Sequence, residues 1–480
     1  MHTSQTSNRQ SLPLVSWPAL IQLILSALAA FLLLGAAALL VLTSAIQYFS
    51  QGSDSSDLTQ PFMVAASLAF GGVLILPSAW YTWKHLAFPG SEPAPRQERR
   101  GFLLLFTLLV LVLVVGALLL GNWASQNNGF AWFLLPPLNI IATGLPTLWI
   151  IYIGTRGLIS GSPRRHWGVF ATGLVLGPLI ILTLELLAIL GIGILAILWA
   201  ALDSNIASQL NSLVFRLQSV VPNQDAILHI LLPYLLHPGV LFIGFSFISV
   251  IFPIIEESLK PIGVWFLAGQ KLTPAQGFAY GVLSGAGFGL FENLGNTSGS
   301  GELWAILASA RISTLLLHSL TTGLVGWALA SAWGQKRYLR LALTYAFAVA
   351  VHGLWNAMAV ISTVASLEQL TNTPLPTNLL QIGELASIGI IALGVFILML
   401  YISFNARLRN GLRDNPSRND GISVLQTSEI SSPQERELIA PAGGTTPLPE
   451  PPDDTPNLPP IEQQSNRTDD NPPPHPESNP

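Results

Sequence analysis

Four stretches in the second half of the chain set ionisable side chains among apolar residues: Glu256-Glu257-Ser-Leu-Lys260 just after Pro253, Phe288-Gly-Leu-Phe-Glu292-Asn293, Arg311 with His318, and His352-Gly-Leu-Trp355-Asn356. At the centre of a bilayer each such group costs about 2.5–3.5 kcal/mol on insertion scales, so a concentration of them needs a reason. Helical spacing orders them. Glu256 and Lys260 are four apart, Glu257 and Lys260 three, Arg311 and His318 seven, and His352 and Asn356 four, so each helix can turn one polar stripe inward. An ion-pair network in which Lys260 and Arg311 neutralise three carboxylates would account for any one pair. Two histidines beside them exceed what neutralisation requires.

Hydrolysis in a membrane needs an activated water, a group to take its proton and a donor for the developing oxyanion. This set contains all three. The chain has no cysteine, which excludes disulfides, thiolate ligands and a cysteine nucleophile and leaves His, carboxylate or amide groups to hold any metal. Imidazole and carboxylate suit zinc or another divalent ion with one position open to water, and Glu292, His318 and His352 are the candidate ligands. Glu256 or Glu257 is the candidate general base, because a paired, partly desolvated carboxylate is suited to take a proton near neutral pH. Asn356 would donate to the oxyanion or orient His352, with Lys260, Asn293 and Arg311 in support. A metal-free scheme, in which a glutamate activates water and the histidines polarise the carbonyl, uses the same residues and stays open.

The elements that must position these groups are membrane helices. Half of the 480 residues are hydrophobic and 10% are charged, against about 25% charged in a soluble domain. A water-exposed surface cannot be built from so few charges. The net charge of -4 and pI near 6.1 give no sign of nucleic-acid binding. Runs able to cross about 30 Å of hydrocarbon lie at Ala19–Tyr48, Phe62–Trp83, Phe102–Trp123, Phe130–Ile153 and Val169–Ala200. A second group follows at Val240–Leu267, Ala275–Leu294, Leu303–Trp333, Leu341–Ile361 and Leu379–Phe404. The fold class is therefore all-α, a polytopic bundle of about eight to ten transmembrane helices.

Basic residues cluster in every second connection: Lys84, Arg96, Arg99 and Arg100; Arg164 and Arg165; Lys271; Lys336, Arg337 and Arg340; Arg407, Arg409 and Arg413. By the positive-inside rule both termini lie in the cytoplasm. The connection from Asp203 to Pro238 has apolar residues at helical spacing around Ile206–Val221 and Ile227–Leu236, consistent with interfacial helices outside. Fifteen of the 35 prolines fall in the last seventy residues, which marks a disordered, solvated C-terminal tail. Glu185 and Glu384 read as isolated, locally satisfied acids. Gly277, Gly281, Gly285 and Gly289 recur every fourth residue, which permits close helix approach and would bring a neighbour's polar groups near Glu292.

The ordered series Glu256-Glu257-x-x-Lys260, Phe288-x-x-x-Glu292-Asn293, Arg311 with His318, and His352-x-x-x-Asn356 resembles the PrsW family of intramembrane proteases, itself similar to membrane-embedded CAAX prenyl endopeptidases and bacteriocin-immunity proteins. The resemblance spans about Phe252 to Ala359. It implies hydrolysis of peptide bonds in a membrane-anchored protein substrate, an anti-sigma factor or similar regulator, by a metalloprotease of the bacterial cytoplasmic membrane. The corresponding organisation is a cytoplasmic N-terminus (1–18), an accessory transmembrane domain (19–202), an external loop (203–238), a protease core (239–364), a last helix (365–408) and the tail (409–480). The competing reading is an ion-coupled transporter using the same acids and histidines as a proton relay, which an inverted repeat would favour; the two halves show no such similarity. Straight helices would leave Glu256 and Glu257 near the cytoplasmic end of span six and Glu292 near the outer end of span seven. Either a break at Pro253 or a different boundary near Gly269–Gly277 is needed to bring them together.

Overall fold

The computed structural model describes residues 16–51, 58–88, 102–158, 161–202, 204–221, 224–235, 237–371 and 377–414. The expected N-terminal arm up to residue 15 and the proline-rich tail from 415 lie outside them. Among the described residues every regular element is helical: α1 (Trp17–Gln51), α2 (Thr59–Ala87), α3 (Phe102–Ser125), α4 (Asn128–Thr155), α5 (Pro163–Ala171), α6 (Gly177–Ala201), α7 (Ser204–Gln218), α8 (Gln224–Leu235) and α9 (Pro238–Ser246). They are followed by α10 (Phe252–Leu259), α11 (Ile262–Trp265), α12 (Pro274–Ser298), α13 (Trp304–Gln335), α14 (Tyr338–Thr371) and α15 (Thr377–Arg413). Single π-helical turns, Thr172–Leu176 and Phe247–Ile251, join α5 to α6 and α9 to α10.

Nine of the described helical segments are long and apolar enough to cross a membrane. They match nine of the ten runs expected from sequence. The tenth, span seven, is α12, which is rich in glycine and small polar residues and buried along nearly its whole length. Because other helices rather than lipid surround it, α12 has no need of an apolar exterior. It starts at Thr273, whose hydroxyl accepts from Gln276 N while Gln276 Oε1 accepts from Thr273 N. This capping box, with Pro274 at the first helical position, defines the helix entry.

α12 is the axis of the bundle. On one side Gly281 and Gly285 meet the backbone of Thr322, Gly323 and His318, where any Cβ would collide with main-chain atoms. The glycine series thus sets α13 directly against α12 and brings His318 within reach of α12's one acid, Glu292. On the other side Gly287 lies against the backbone of Phe170 and Gly173, so the α5–α6 segment packs equally closely.

All described helices belong to one compact unit. The first spans are welded to the rest by buried polar contacts. Trp304 Nε1 donates to Asn139 Oδ1 at 3.1 Å, Tyr401 OH to Ile150 O at 2.7 Å, and Asn405 Nδ2 to Gly154 O at 2.8 Å. Buried donors left without acceptors would each be costly in lipid, so these pairs fix α13 on α4 and α15 on α4. The segment between spans five and six is helical in α7 and α8, as its apolar spacing predicts.

Candidate functional site

Span six supplies the acids, and it is not a straight helix. The π turn Phe247–Ile251 precedes α10, Pro253 occupies its first turn, and Pro261 ends it one residue after Lys260. Proline lacks the N–H that would continue the ladder, and Val264 N turns instead to Pro261 O at 2.7 Å. Ser284 Oγ takes over the freed carbonyl by donating to Lys260 O at 2.5 Å. This contact places Lys260 beside the middle of α12. The chain reverses between α10 and α12, so one turn back to Glu256 and one turn on from Ser284 to Phe288 shift in the same direction. The expected separation of Glu256 and Glu257 from Glu292 is thereby removed, through the register of span six against α12 rather than through the Pro253 break alone.

The remaining gap is closed by long side chains. Lys260 Nζ, fully buried, lies 2.8 Å from Glu256 Oε2, 2.8 Å from Glu257 Oε1, 2.8 Å from His318 Nδ1 and 3.2 Å from His352 Nδ1. It also stands 4.8 Å from the centroid of the Phe288 ring, which packs edge-on to His318. His318 Nε2 reaches Glu292 Oε2 at 2.7 Å, and Arg311 holds the other oxygen of Glu292 at 2.7 Å. Asn293 clamps Arg311, accepting from its Nε at 2.9 Å and donating to its backbone O at 3.0 Å.

These contacts assign the imidazole protons. The ammonium of Lys260 only donates, so His318 Nδ1 is the acceptor and its Nε2–H donates to Glu292. His352 Nδ1 is closest to Glu257 Oε1, at 2.9 Å, and donates to it. Each histidine is therefore backed by a carboxylate, the arrangement by which proteins orient imidazoles that hold a metal. Glu256, His318 and His352 each offer one ligand atom, all within 4.8 Å of one another. The donor set fits a divalent ion in kind and spacing, and Glu257 Oε2 is buried without a hydrogen-bond partner. The triad differs in one member from the sequence expectation: Glu256 stands with the two histidines, while Glu292 stands behind His318. Lys260 competes for the same lone pairs, so an ion held there would displace its ammonium.

Asn356, on α14 one turn after His352, is half-buried. Its Nδ2 donates to Ile248 O at 2.9 Å, fastening α14 to the π turn of span six. Beside that junction an apolar groove of about 510 Å³, lined by Ser249, Val250, Ile254, Tyr345, Ala346 and Gly353 among others, runs along the backbone next to His352. Of the two acids read as isolated, Glu384 is exposed on α15. Glu185 is half-buried, its Oε1 shielded without a hydrogen-bond donor among the described residues, on the helix α6 that packs against α10 and α12. In the sequence it is a lone acid in an apolar run with no helical partner, so only its unexplained insertion cost marked it.

Residues 186–379 match the family model of the PrsW family intramembrane metalloprotease. Over this segment the chain is similar to that family. No curated protein and no solved structure matches the chain. The PrsW match takes in α10 to α14 and with them every side chain of the Glu/His/Lys cluster; Glu185 precedes its first residue.

Proposed function

We propose that this protein is an intramembrane endopeptidase that hydrolyses a peptide bond of a membrane-anchored protein, such as an anti-sigma factor or similar regulator. The observation that carries the reading is the convergence of Glu256, His318 and His352 within 4.8 Å inside a segment that matches PrsW proteases. Glu256 is the general base. Its side chain is 12% exposed, whereas Glu257 is fully buried and committed to Lys260 and His352. Glu256 takes a proton from water as the water oxygen attacks the carbonyl carbon, then passes it to the leaving nitrogen as the C–N bond breaks. Lys260, the cation at the centre of the cluster, offsets the negative charge that develops on the carbonyl oxygen. In the metal-dependent alternative Glu256 would be a ligand rather than the base: a zinc or other divalent ion held by Glu256, His318 and His352 would supply Lewis-acid polarisation and a more acidic water.

The apolar groove beside Gly353 is the approach for a single-span substrate, because an extended segment lying there passes the backbone next to His352. The basic residues in alternate connections support cytoplasmic termini by the positive-inside rule. The test is coexpression of the full chain with a tagged single-span reporter that it cleaves. Glu257→Gln and His352→Ala are expected to lower cleavage at least about 100-fold, in line with loss of acid–base and orienting groups. Cleavage that survives both substitutions removes the proposed site. Sensitivity of wild-type cleavage to chelators separates the metal-dependent from the metal-free route.

A further inference from the structure

We propose that Ser249, in the π turn of span six, is a substrate-binding residue whose hydroxyl donates to a main-chain carbonyl of the transmembrane segment to be cleaved, seated in the apolar groove between that turn and α14. The proposal deepens the hydrolase reading above and rests on it.

Three observations carry it. First, Ser249 is 8% exposed, and its Oγ is buried with no hydrogen-bond partner among the described residues. Other buried serines of this bundle are satisfied within their own helix: Ser319 Oγ donates to Leu315 O at 2.8 Å and Ser331 Oγ to Trp327 O at 2.8 Å. Alanine would meet the packing at position 249, so the hydroxyl is surplus to the fold and costly in an apolar setting. Second, Ser249 lines the groove together with Ala346, Ala350 and Gly353 of α14. Its carbonyl oxygen abuts Gly353, where any Cβ would collide with it, and Gly353 follows His352 in the chain. A segment seated in the groove therefore passes beside the Glu/His/Lys cluster. Third, depth selects the occupant. Ser249 lies eleven residues into the span that begins at Pro238, about 16 Å at the helical rise and so near the middle of a hydrocarbon layer about 30 Å thick. Acyl chains offer no acceptor at that depth, whereas a peptide carries a carbonyl at every residue.

A transmembrane segment must leave its helical form at the bond to be cut, because the turns of an intact helix shield the carbonyl carbon. Each carbonyl freed in this way needs a donor inside the membrane. Ser249 supplies one, and the small side chains of Ala346, Ala350 and Gly353 let the substrate backbone come close enough to use it. The surface therefore suits segments that turn small residues toward α14, since a bulky side chain there would hold the backbone away from Ser249 Oγ.

The test uses the full chain and the tagged single-span reporter that it cleaves. Bound substrate and transition state make the contact alike, so Ser249→Ala is expected to raise KM about 3- to 10-fold with kcat within about twofold, the size of one neutral hydrogen bond. Thermal unfolding in detergent should match wild type, because no group inside the protein loses a partner. A photoreactive side chain at Ala350 in the Glu257→Gln chain, which holds the reporter uncut, should crosslink to the reporter's transmembrane segment. The proposal is overturned if Ser249→Ala keeps the wild-type KM, if it lowers kcat at unchanged KM, if a raised KM tracks lost stability, or if position 350 crosslinks to lipid alone. Failure of the hydrolase reading looks different: Glu257→Gln and His352→Ala would then leave cleavage intact.

Discussion

At the scale of single residues, Lys260 is the most consequential side chain. One ammonium, with no exposed surface, neutralises Glu256 and Glu257 and donates to His318 Nδ1. Such a group is stabilising only because every partner is in place; removing one member of a buried pair leaves the others uncompensated and costs about 3–5 kcal/mol. Lys260→Met is therefore expected to destabilise the protein by about that amount, read by thermal or denaturant unfolding in detergent. Lys260→Arg should not restore it, because the planar guanidinium is larger and cannot converge on Glu256, Glu257 and His318 from one nitrogen. Unfolding indistinguishable from wild type in Lys260→Met would show that the acids are neutralised in some other way. The same geometry separates Glu256 from Glu257, which are adjacent and chemically identical in the sequence. Burial and partners make one an orienting group for His352 and leave the other accessible.

Among the elements, span six does the positioning. A π turn widens the helix before the acids, and Pro261 ends α10 after Lys260. Breaks of this kind are tolerated in a membrane only where neighbouring groups take up the freed backbone. Ser284 does so for Lys260 O, and Asn356 does so for Ile248 O. Asn356→Leu would leave a carbonyl of the π turn unsatisfied, at about 1–3 kcal/mol. It is expected to lower both stability and kcat, since the turn sets the rotation of Glu256. A variant that loses kcat with unchanged unfolding would instead place Asn356 at the reacting groups, as the His352-x-x-x-Asn356 spacing alone allows.

For the whole molecule, the first four spans and the helices that carry the Glu/His/Lys cluster belong to one compact unit. Buried acceptors on α4 receive Trp304, Tyr401 and Asn405 from α13 and α15, and Trp304 fills the space left by Gly121 on α3. A chain reduced to residues 163–414 would expose these donors to lipid. It is expected to yield no sharp thermal transition and no reporter cleavage, checked by size-exclusion chromatography and unfolding. A well-folded, active fragment would show that the early spans are dispensable.

The membrane class, the helix runs and the four polar stripes were legible in the sequence because each depends on local quantities: hydropathy over one span, and side-chain spacing over one or two turns. The glycine series likewise announced close contact, since a missing Cβ is a local fact with one main use in lipid. Three things were decided only by the tertiary structure. The register of α10 against α12 hangs on a hydrogen bond between Lys260 and Ser284, which lie far enough apart in the chain that no spacing rule relates them. The exchange of Glu292 for Glu256 beside the two histidines follows from that register and from the reach of Lys260. The half-buried placement of Glu185 depends on which face of a nearly uniform apolar helix turns toward α10, and a helix without amphipathic contrast carries no mark of that face in its own residues.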